Sequence, residues 1–219
     1  CNIKIDYNDD NIYLRGGTFK NPHSVLDCQN SGTTLRILMG LLFGQSIEAS
    51  FSGDRSLKRR PFDRVMDPLI DMGAKFEFNK DIFPIKMSIN KNKSIHYMSE
   101  IKSAQVTSAI IFASLGSNNW SSISYNKFSR NHTERIMENL GFNILIDNNI
   151  KVKKSTIKKG ISVHVPGDIS SASFIIAAAI LLPESHITVK NVLYNKTRLE
   201  FINVLCDMGA KIEVANIQD

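Results

Sequence analysis

Hydrophobic positions along the chain recur with two periods, and segments of the two periods alternate in a fixed order. A period of three to four residues, typical of a helix with one buried face, marks segments 33–43, 62–72, 105–115, 133–140, 171–182 and 199–208. Period-two alternation, typical of a strand, marks segments 47–52, 121–125 and 186–191, and also the stretch after every second helix. Helices and strands that alternate in this way predict an α/β fold.

A repeat underlies this order. The stretches MGAKFEF, LGFNILI and MGAKIEV place their glycines at 73, 141 and 209, so two equal steps of 68 residues separate them. Each glycine follows a helix and precedes a strand, which is typical of a C-terminal helix cap. The unit is therefore predicted to run helix, strand, helix, strand, strand, and in the first two units closing strands are predicted at 84–89 and 150–153. Pseudo-symmetric units of this length favour globular domains over an open solenoid.

Both ends of the sequence are predicted to interrupt a unit. Residues 1–15 read as two strands around a turn at 8–11, without the helices of their unit and without an initiator Met or a signal peptide. The third unit reaches Asp219 before a closing strand. We therefore expect the chain to begin and end inside a longer protein, with most of one domain in residues 1–166 and the first unit of a second domain in residues 167–219.

Composition limits the class of protein. The 219 residues are 42% hydrophobic, which is enough for a globular core, and the longest apolar stretch, 172–182, is shorter than the ~20 residues that cross a bilayer. The spacing of the three cysteines suits neither disulfides nor a metal site, and the five histidines are far apart. A cytoplasmic protein with no metal and no membrane partner is expected. The net charge of +6 fits either an anionic partner or a merely lysine-rich composition.

Two segments of the first unit are suited to anions. Residues 30–36, NSGTTLR, begin a helix with small residues that leave backbone N–H groups open to a phosphate or carboxylate, although Asn30 or Ser31 could equally be an ordinary N-cap. Arg36, one turn into the helix, could orient the loop rather than touch a ligand. Residues 53–61, GDRSLKRRP, carry four basic side chains that repel one another unless an anion or carboxylates balance them, and a solvated basic loop is the alternative.

Three further segments begin helices of the second and third units. They are SAQVTSA at 103–109, SRNHTER at 129–135 and GDISSASF at 167–174, and each by itself could be a simple helix start. Because the units are pseudo-symmetric, several helix N-termini can meet at one place. The last segment is also the predicted crossing between domains.

These five segments, in this order, resemble the EPSP synthase family, and the resemblance covers essentially the whole chain. It implies the enolpyruvyl transferase fold, an inside-out α/β barrel of two domains with three units each and an active site in the cleft. It also implies transfer of the enolpyruvyl group of phosphoenolpyruvate to the 5-hydroxyl of shikimate 3-phosphate, with release of phosphate and without a cofactor. The complete protein is expected to be a monomer.

The resemblance also assigns roles to residues. It places Asn30, Gly32 and Arg60 at phosphoenolpyruvate and Gln105 at both substrates, and it assigns shikimate 3-phosphate to Ser103, Ala104 through its backbone, Gln105, Ser129 and Arg130. Guanidinium groups and helix N-termini suit two anionic substrates that must approach each other. The aspartate and glutamate of proton transfer are expected beyond Asp219, so no catalytic residue is assigned and this chain alone is expected to be inactive.

The sequence leaves two alternative functions open. An enolpyruvyl transferase for a UDP-amino sugar (UDP-N-acetylglucosamine) shares this fold but is expected to carry a cysteine in a flexible loop, and the basic loop here has none, while Cys28 fits a buried position. A nucleic-acid-processing protein on a related repeat would need basic residues interleaved with exposed aromatics, and aromatics are only 8% of the chain. We therefore expect no nucleic-acid partner.

Overall fold

The computed structural model describes residues 3–8, 10–78, 83–99, 103–125 and 130–217. The chain forms two compact units, a larger one of residues 1–127 and 131–160 and a smaller one of residues 128–130 and 161–219. The larger unit contains the first two repeats, and the smaller unit contains the third.

The N-terminal residues form the predicted pair of strands. β1 (Lys4–Asn8) and β2 (Asn11–Arg15) pair antiparallel from Lys4 opposite Arg15 to Asn8 opposite Asn11. Every residue of both strands is exposed. A single ion pair, Arg15 Nε to Asp6 Oδ2 at 3.5 Å, bridges the two strands within the described hairpin.

The first repeat folds into a four-stranded sheet with two helices. In chain order it contains β3 (Leu26–Asp27), α1 (Gly32–Gly44), β4 (Ala49–Ser52), α2 (Asp63–Met72), β5 (Ala74–Glu77) and β6 (Ile85–Ile89). The strand order is β3-β4-β6-β5, with β3 and β4 parallel and the other neighbours antiparallel. Because β3 and β4 are parallel, α1 connects them as a crossover helix.

The second repeat has the same arrangement. It contains β7 (His96–Ser99), α3 (Ala104–Ser114), β8 (Ser121–Tyr125), α4 (His132–Asn139), β9 (Ile144–Ile146) and β10 (Ile150–Val152). The strand order β7-β8-β10-β9 matches that of the first sheet, again with only the first pair parallel. The predicted repeat is confirmed, but each unit gains a leading strand, β3 or β7, that we did not predict.

Left-handed glycines end the second helix of every repeat. Gly73, Gly141 and Gly209 have φ angles of 111°, 77° and 97°, a region that other residues rarely adopt. At the end of α2, the Gly73 N–H donates to the carbonyl of Ile70 at 2.8 Å, which closes the last turn. The predicted capping role of these glycines is confirmed.

The core of the larger unit lies between its two crossover helices. α1 packs along α3, and the side chains of Leu35, Met39, Phe43, Ile110 and Ile111 are completely buried. The closest approach is at Gly40 and Gly44, where the backbone of α3 occupies the space of a Cβ atom. This packing fixes the first turn of α1 beside the first turn of α3, where the predicted site residues lie.

In the smaller unit, two predicted strands are wrong. Residues 186–191 and the stretch after Gly209 are not strands, although α5 (Ile169–Leu181) and α6 (Glu200–Asp207) form as predicted. A strand needs a hydrogen-bonded neighbour, and within residues 161–217 the only bridge is a parallel one between Gly167 and Val192. In the third repeat, this bridge corresponds in position to the pairing of β3 with β4 in the first repeat.

The length and hydrophobicity of a helix determine whether it could span a membrane. No helix in the described part of the chain is both long enough and apolar enough to cross a membrane.

Candidate functional site

The first turn of α1 is built by Ser31, which is the N-cap. Its backbone is extended (φ −92°, ψ 97°), and its hydroxyl accepts a hydrogen bond from the Thr34 N–H at 3.1 Å. The sequence did not decide whether Asn30 or Ser31 is the N-cap of α1, and the structure shows that it is Ser31. The Asn30 side chain is therefore available for a second role, which it plays toward the basic loop.

Asn30 joins the start of α1 to the basic loop, residues 53–61. Its amide nitrogen donates to Asp54 Oδ2 at 2.7 Å, and its amide oxygen accepts from Arg60 Nη2 at 2.5 Å. The Leu57 N–H, with the Asn30 amide as a smaller contributor, lowers the pKa of Asp54 and keeps its carboxylate ionised. The loop is therefore folded onto α1, and Arg60 is held at the helix N-terminus rather than free in solvent.

Gly32 brings two guanidinium groups close to the helix start. A Cβ atom on this buried glycine would lie 2.8 Å from Arg36 Nη1 and 3.2 Å from Arg60 Nη1. Both charges thus face the position where the first backbone N–H groups of α1 are open. A carboxylate or phosphate fits this combination of cations and helix dipole.

One carboxylate, that of Asp54, lies near these guanidinium groups, and the Asn30 amide bridges it to Arg60. Among the residues that the structure describes, neither Arg36 nor Arg60 forms an ion pair. Burial, with the like charges of Arg60 and Arg64 as smaller contributors, lowers the pKa of Arg36. An anion bound at the start of α1 would relieve this repulsion.

A cavity of about 620 Å³ lies in front of this helix start. It is lined by residues 27–34 together with Arg60. Cys28 contributes to the wall, but its side chain is 4% exposed and burial raises the pKa of its thiol, which agrees with the predicted buried position. The polar side chains that line the cavity are therefore amides, hydroxyls, the Arg60 guanidinium and the Asp27 carboxylate, which accepts a hydrogen bond from the Gln29 N–H.

The start of α3 contributes Ser103, Ala104 and Gln105. Ser103 is the N-cap and accepts from the Val106 N–H at 3.4 Å, so the alternative of a simple cap holds for this hydroxyl. Gln105 reaches across to α1, where it bonds Arg36 and Thr33. Sequence reasoning did not find this contact, since 69 residues separate Gln105 from Arg36.

Two further predicted residues, Ser129 and Arg130, belong to the SRNHTER segment. Ser129 lies outside the described residues. Arg130 is exposed and belongs to the smaller unit. The helix that follows, α4, begins at His132 with Asn131 as its N-cap.

A family model described as EPSP synthase (3-phosphoshikimate 1-carboxyvinyltransferase) matches residues 2–219. The chain belongs to the EPSP synthase family. The resemblance predicted from the five segments is confirmed, and so is the α/β fold class of the enolpyruvyl transferases.

Curated relatives of this EPSP synthase family chain carry the name 3-phosphoshikimate 1-carboxyvinyltransferase. One from Caldicellulosiruptor saccharolyticus is 40% identical over 98% of this chain and 52% of the relative, and one from Staphylococcus aureus is 46% identical over 90% and 47%. The solved EPSP synthase of Acinetobacter baumannii superposes with a TM-score of 0.82 at 31% identity, over 98% of this chain and 50% of that structure. The chain spans about half the length of these relatives.

The third repeat of this EPSP synthase family member has a similar helix start. Asp168 is the N-cap of α5 and accepts from the Ser170 N–H at 3.0 Å, and this bond contributes most to lowering the pKa of Asp168. Arg198, the last residue of a 3₁₀ turn (Lys196–Arg198) in the connection before α6, donates to the Ser170 hydroxyl. In the first and third repeats, therefore, a loop arginine bonds a side chain at the N-terminus of the crossover helix.

Glu134 in the SRNHTER segment allows a test of pH dependence. The residue is 4% exposed, and burial raises the pKa of its carboxyl, so the folded chain binds this proton more tightly than the unfolded chain. The contribution of this tighter proton binding to the free energy of unfolding is fully present below the ordinary glutamate pKa of about 4.3. It is lost as the pH rises through the raised folded value. Glu134→Gln is expected to increase the melting temperature at pH 8 but not at pH 4.

Thermal unfolding followed by circular dichroism between pH 4 and 8 measures this effect. Glu138→Gln, at an exposed position of the same helix, is the matched control and should leave the pH profile unchanged. Equal profiles for the two variants would contradict the assignment.

Proposed function

We propose that this chain carries part of the substrate site of a 3-phosphoshikimate 1-carboxyvinyltransferase. The reaction transfers the enolpyruvyl group of phosphoenolpyruvate to the 5-hydroxyl of shikimate 3-phosphate, giving 5-enolpyruvylshikimate 3-phosphate and phosphate, a step of aromatic amino acid biosynthesis. The observation that carries the proposal is the pairing of Arg60 with Asn30 against Gly32, at an open helix N-terminus, in a member of the EPSP synthase family.

In this proposal the phosphoenolpyruvate anion lies at the start of α1. Gly32 allows close approach, Arg60 provides a guanidinium and Asn30 holds Arg60. Both ionised groups of phosphoenolpyruvate would be desolvated on binding, and preorganised donors offset that cost. The absence of an ion pair at Arg60 within the described residues supports the assignment, because this charge is available to a ligand.

Shikimate 3-phosphate is assigned to the segments that follow. Ser103, the Ala104 backbone, Ser129 and Arg130 would bind it, and Gln105 would touch both substrates. The contact of Gln105 with α1 supports its shared position, since its amide lies between the start of α3 and the residues that line the cavity.

The proposal includes the setting of the site. Residues 1–166 would form most of one domain and residues 167–219 the first unit of the second, and the division of the chain into two compact units supports two domains. The complete protein would be a cytoplasmic monomer that needs no cofactor.

Calorimetric titration of shikimate 3-phosphate into the chain, at low and moderate salt, tests the proposal. Arg130→Ala is expected to weaken this binding by about ten- to a hundred-fold, which corresponds to the ~1.5–3 kcal/mol of a hydrogen bond to a charged group. The binding should also weaken with added salt because charges dominate it.

Arg135→Ala is the matched control, since Arg135 is an exposed arginine five positions further along the chain. An affinity that Arg130→Ala and Arg135→Ala change equally would remove Arg130 from the site. A chain that binds neither shikimate 3-phosphate nor phosphoenolpyruvate would contradict the proposal that this chain carries part of the substrate site.

A further inference from the structure

A chain of side-chain hydrogen bonds joins the first turns of α1 and α3. Arg36 Nη1 donates to Gln105 Oε1 at 2.8 Å, and Gln105 Nε2 donates to Thr33 Oγ1 at 2.6 Å. Thr33 lines the cavity in front of α1. The Gln105 amide group therefore lies within one hydrogen-bond length of the cavity wall.

The orientation of this amide is determined by chemistry. A guanidinium group can only donate hydrogen bonds, so the atom of Gln105 that faces Arg36 must be the oxygen. The amide nitrogen then faces Thr33, and it has two N–H groups, of which the Thr33 hydroxyl uses one. If the amide were reversed, Arg36 and the Gln105 nitrogen would be two donors facing each other.

The Arg36 guanidinium is itself held in place from three sides. Nη2 donates to the Pro61 carbonyl at 3.1 Å, Nη1 donates to Gln105, and the group lies 5.1 Å from the centre of the Phe62 ring. The Phe62 ring is in turn buried, at 3% exposure. A planar fork with several donors can satisfy these contacts together, whereas a lysine ammonium on a flexible stem cannot reproduce them.

The same rule orients the other amide of the site. Asn30 turns its oxygen to Arg60 and its nitrogen to the Asp54 carboxylate. In both cases a guanidinium group selects the amide oxygen. The two amides differ in the group that accepts from the nitrogen, which is the Asp54 carboxylate for Asn30 and the Thr33 hydroxyl at the cavity wall for Gln105.

We propose that Arg36 is a positioning residue, which fixes the Gln105 amide so that Gln105 offers an N–H donor, and not an acceptor, to an anion bound at the start of α1. This inference rests on the proposed function for the identity of the anion. Arg36 acts through Gln105 and through the Pro61 carbonyl. The donor and acceptor pattern of the site then favours an anion over a neutral donor group.

Side-chain amide spectra of the ¹⁵N-labelled chain without ligand test the orientation directly. Gln105→Ala assigns the Gln105 signals. Arg36→Met is expected to shift these signals and to speed their hydrogen exchange, because the oxygen loses its charged donor and the amide can rotate. Arg36→Lys keeps the charge but should show most of the same change, and Lys75→Met, which removes an exposed charge on β5, should show none.

Phosphoenolpyruvate titrations of the same variants test the consequence. Arg36→Met is expected to weaken binding about five-fold, and Gln105→Glu about ten-fold, because a carboxylate still accepts from Arg36 but has no N–H group for an anion. In a Gln105→Ala background, Arg36→Met should add little further loss, since Arg36 acts through Gln105.

The results separate this inference from the proposed function. Unchanged Gln105 signals in Arg36→Met would overturn the inference, and so would fully additive losses in the double variant, which would mean that Arg36 binds the anion itself. A lack of phosphoenolpyruvate binding by the unsubstituted chain would contradict the proposed function alone. The amide spectra would still decide the orientation, because they need no ligand.

Discussion

Gly40→Ala is expected to lower the free energy of unfolding by about 3 kcal/mol, because the added methyl group overpacks the contact between α1 and α3. A Cβ atom at Gly40 would lie 2.1 Å from the carbonyl oxygen of Ala109, and one at Gly44 would lie 2.2 Å from that of Phe112. Both obstacles are backbone atoms, so the two helices must move apart. The residues that pack beside them, such as Phe43 and Ile110, are completely buried and would lose contacts.

Helix propensity alone predicts the opposite sign for this substitution. Alanine stabilises a helix interior by about 1 kcal/mol relative to glycine. The net loss of unfolding free energy is therefore the cost of the steric conflict minus the gain in helix propensity. Urea unfolding followed by circular dichroism at 25 °C gives the value from the shift of the midpoint.

Gly16→Ala is the matched control, because a Cβ atom there would meet no atom within 4 Å. We expect it to leave stability unchanged or to raise it slightly. If Gly40→Ala proved as stable as Gly16→Ala, the close approach of α1 and α3 would be wrong. The same approach brings Gln105 to Arg36, so the substitution should also weaken anion binding.

The sequence was sufficient to predict the repeat and the helices that carry the site. Equal spacing of the three glycines predicted the units, and each glycine has the left-handed backbone that a helix cap needs. The segments at the helix starts predicted the family, which the comparison confirms. These features are local, since each depends on residues that are neighbours along the chain.

Features that depend on distant partners were not predicted correctly. β3 has two residues, too few for a recognisable period, and it exists because β4 pairs with it. Residues 186–191 alternate like a strand, yet the described structure gives them no ladder, since alternation does not provide a partner. The contact of Arg36 with Gln105 depends on packing between helices that the sequence pattern treats as separate.

Arg60→Met is expected to weaken phosphoenolpyruvate binding by about ten- to a hundred-fold without loss of stability. A hydrogen bond to a charged group contributes about 1.5–3 kcal/mol, and Arg60 faces both the Gly32 position and the open N-terminus of α1. Methionine keeps much of the side-chain length but has no donor. Isothermal titration calorimetry of the two proteins measures the difference in affinity.

Stability should respond differently, which separates a binding role from a structural one. In the described structure Arg60 has no ion pair to lose, and its charge repels that of Arg36. Its removal costs the hydrogen bond to Asn30 and the attraction of the Asp54 carboxylate but relieves this repulsion, so the urea midpoint should change little. If Arg60 stabilised the fold, its replacement would instead lower both the stability of the protein and its affinity for the anion.

Arg59→Met completes the comparison, since Arg59 is the adjacent exposed arginine of the same loop. Arg59→Met removes an equal charge, but no contact to Asn30 or the Gly32 position is lost. Because salt screens an exposed charge, the loss of phosphoenolpyruvate affinity should be limited to about two-fold at ordinary salt. If both variants weakened binding equally, the loop would act only through its net charge. A large loss confined to Arg60→Met would mean that the anion is held by the geometry at the start of α1, where the Arg60 guanidinium, Gly32 and the helix N-terminus meet.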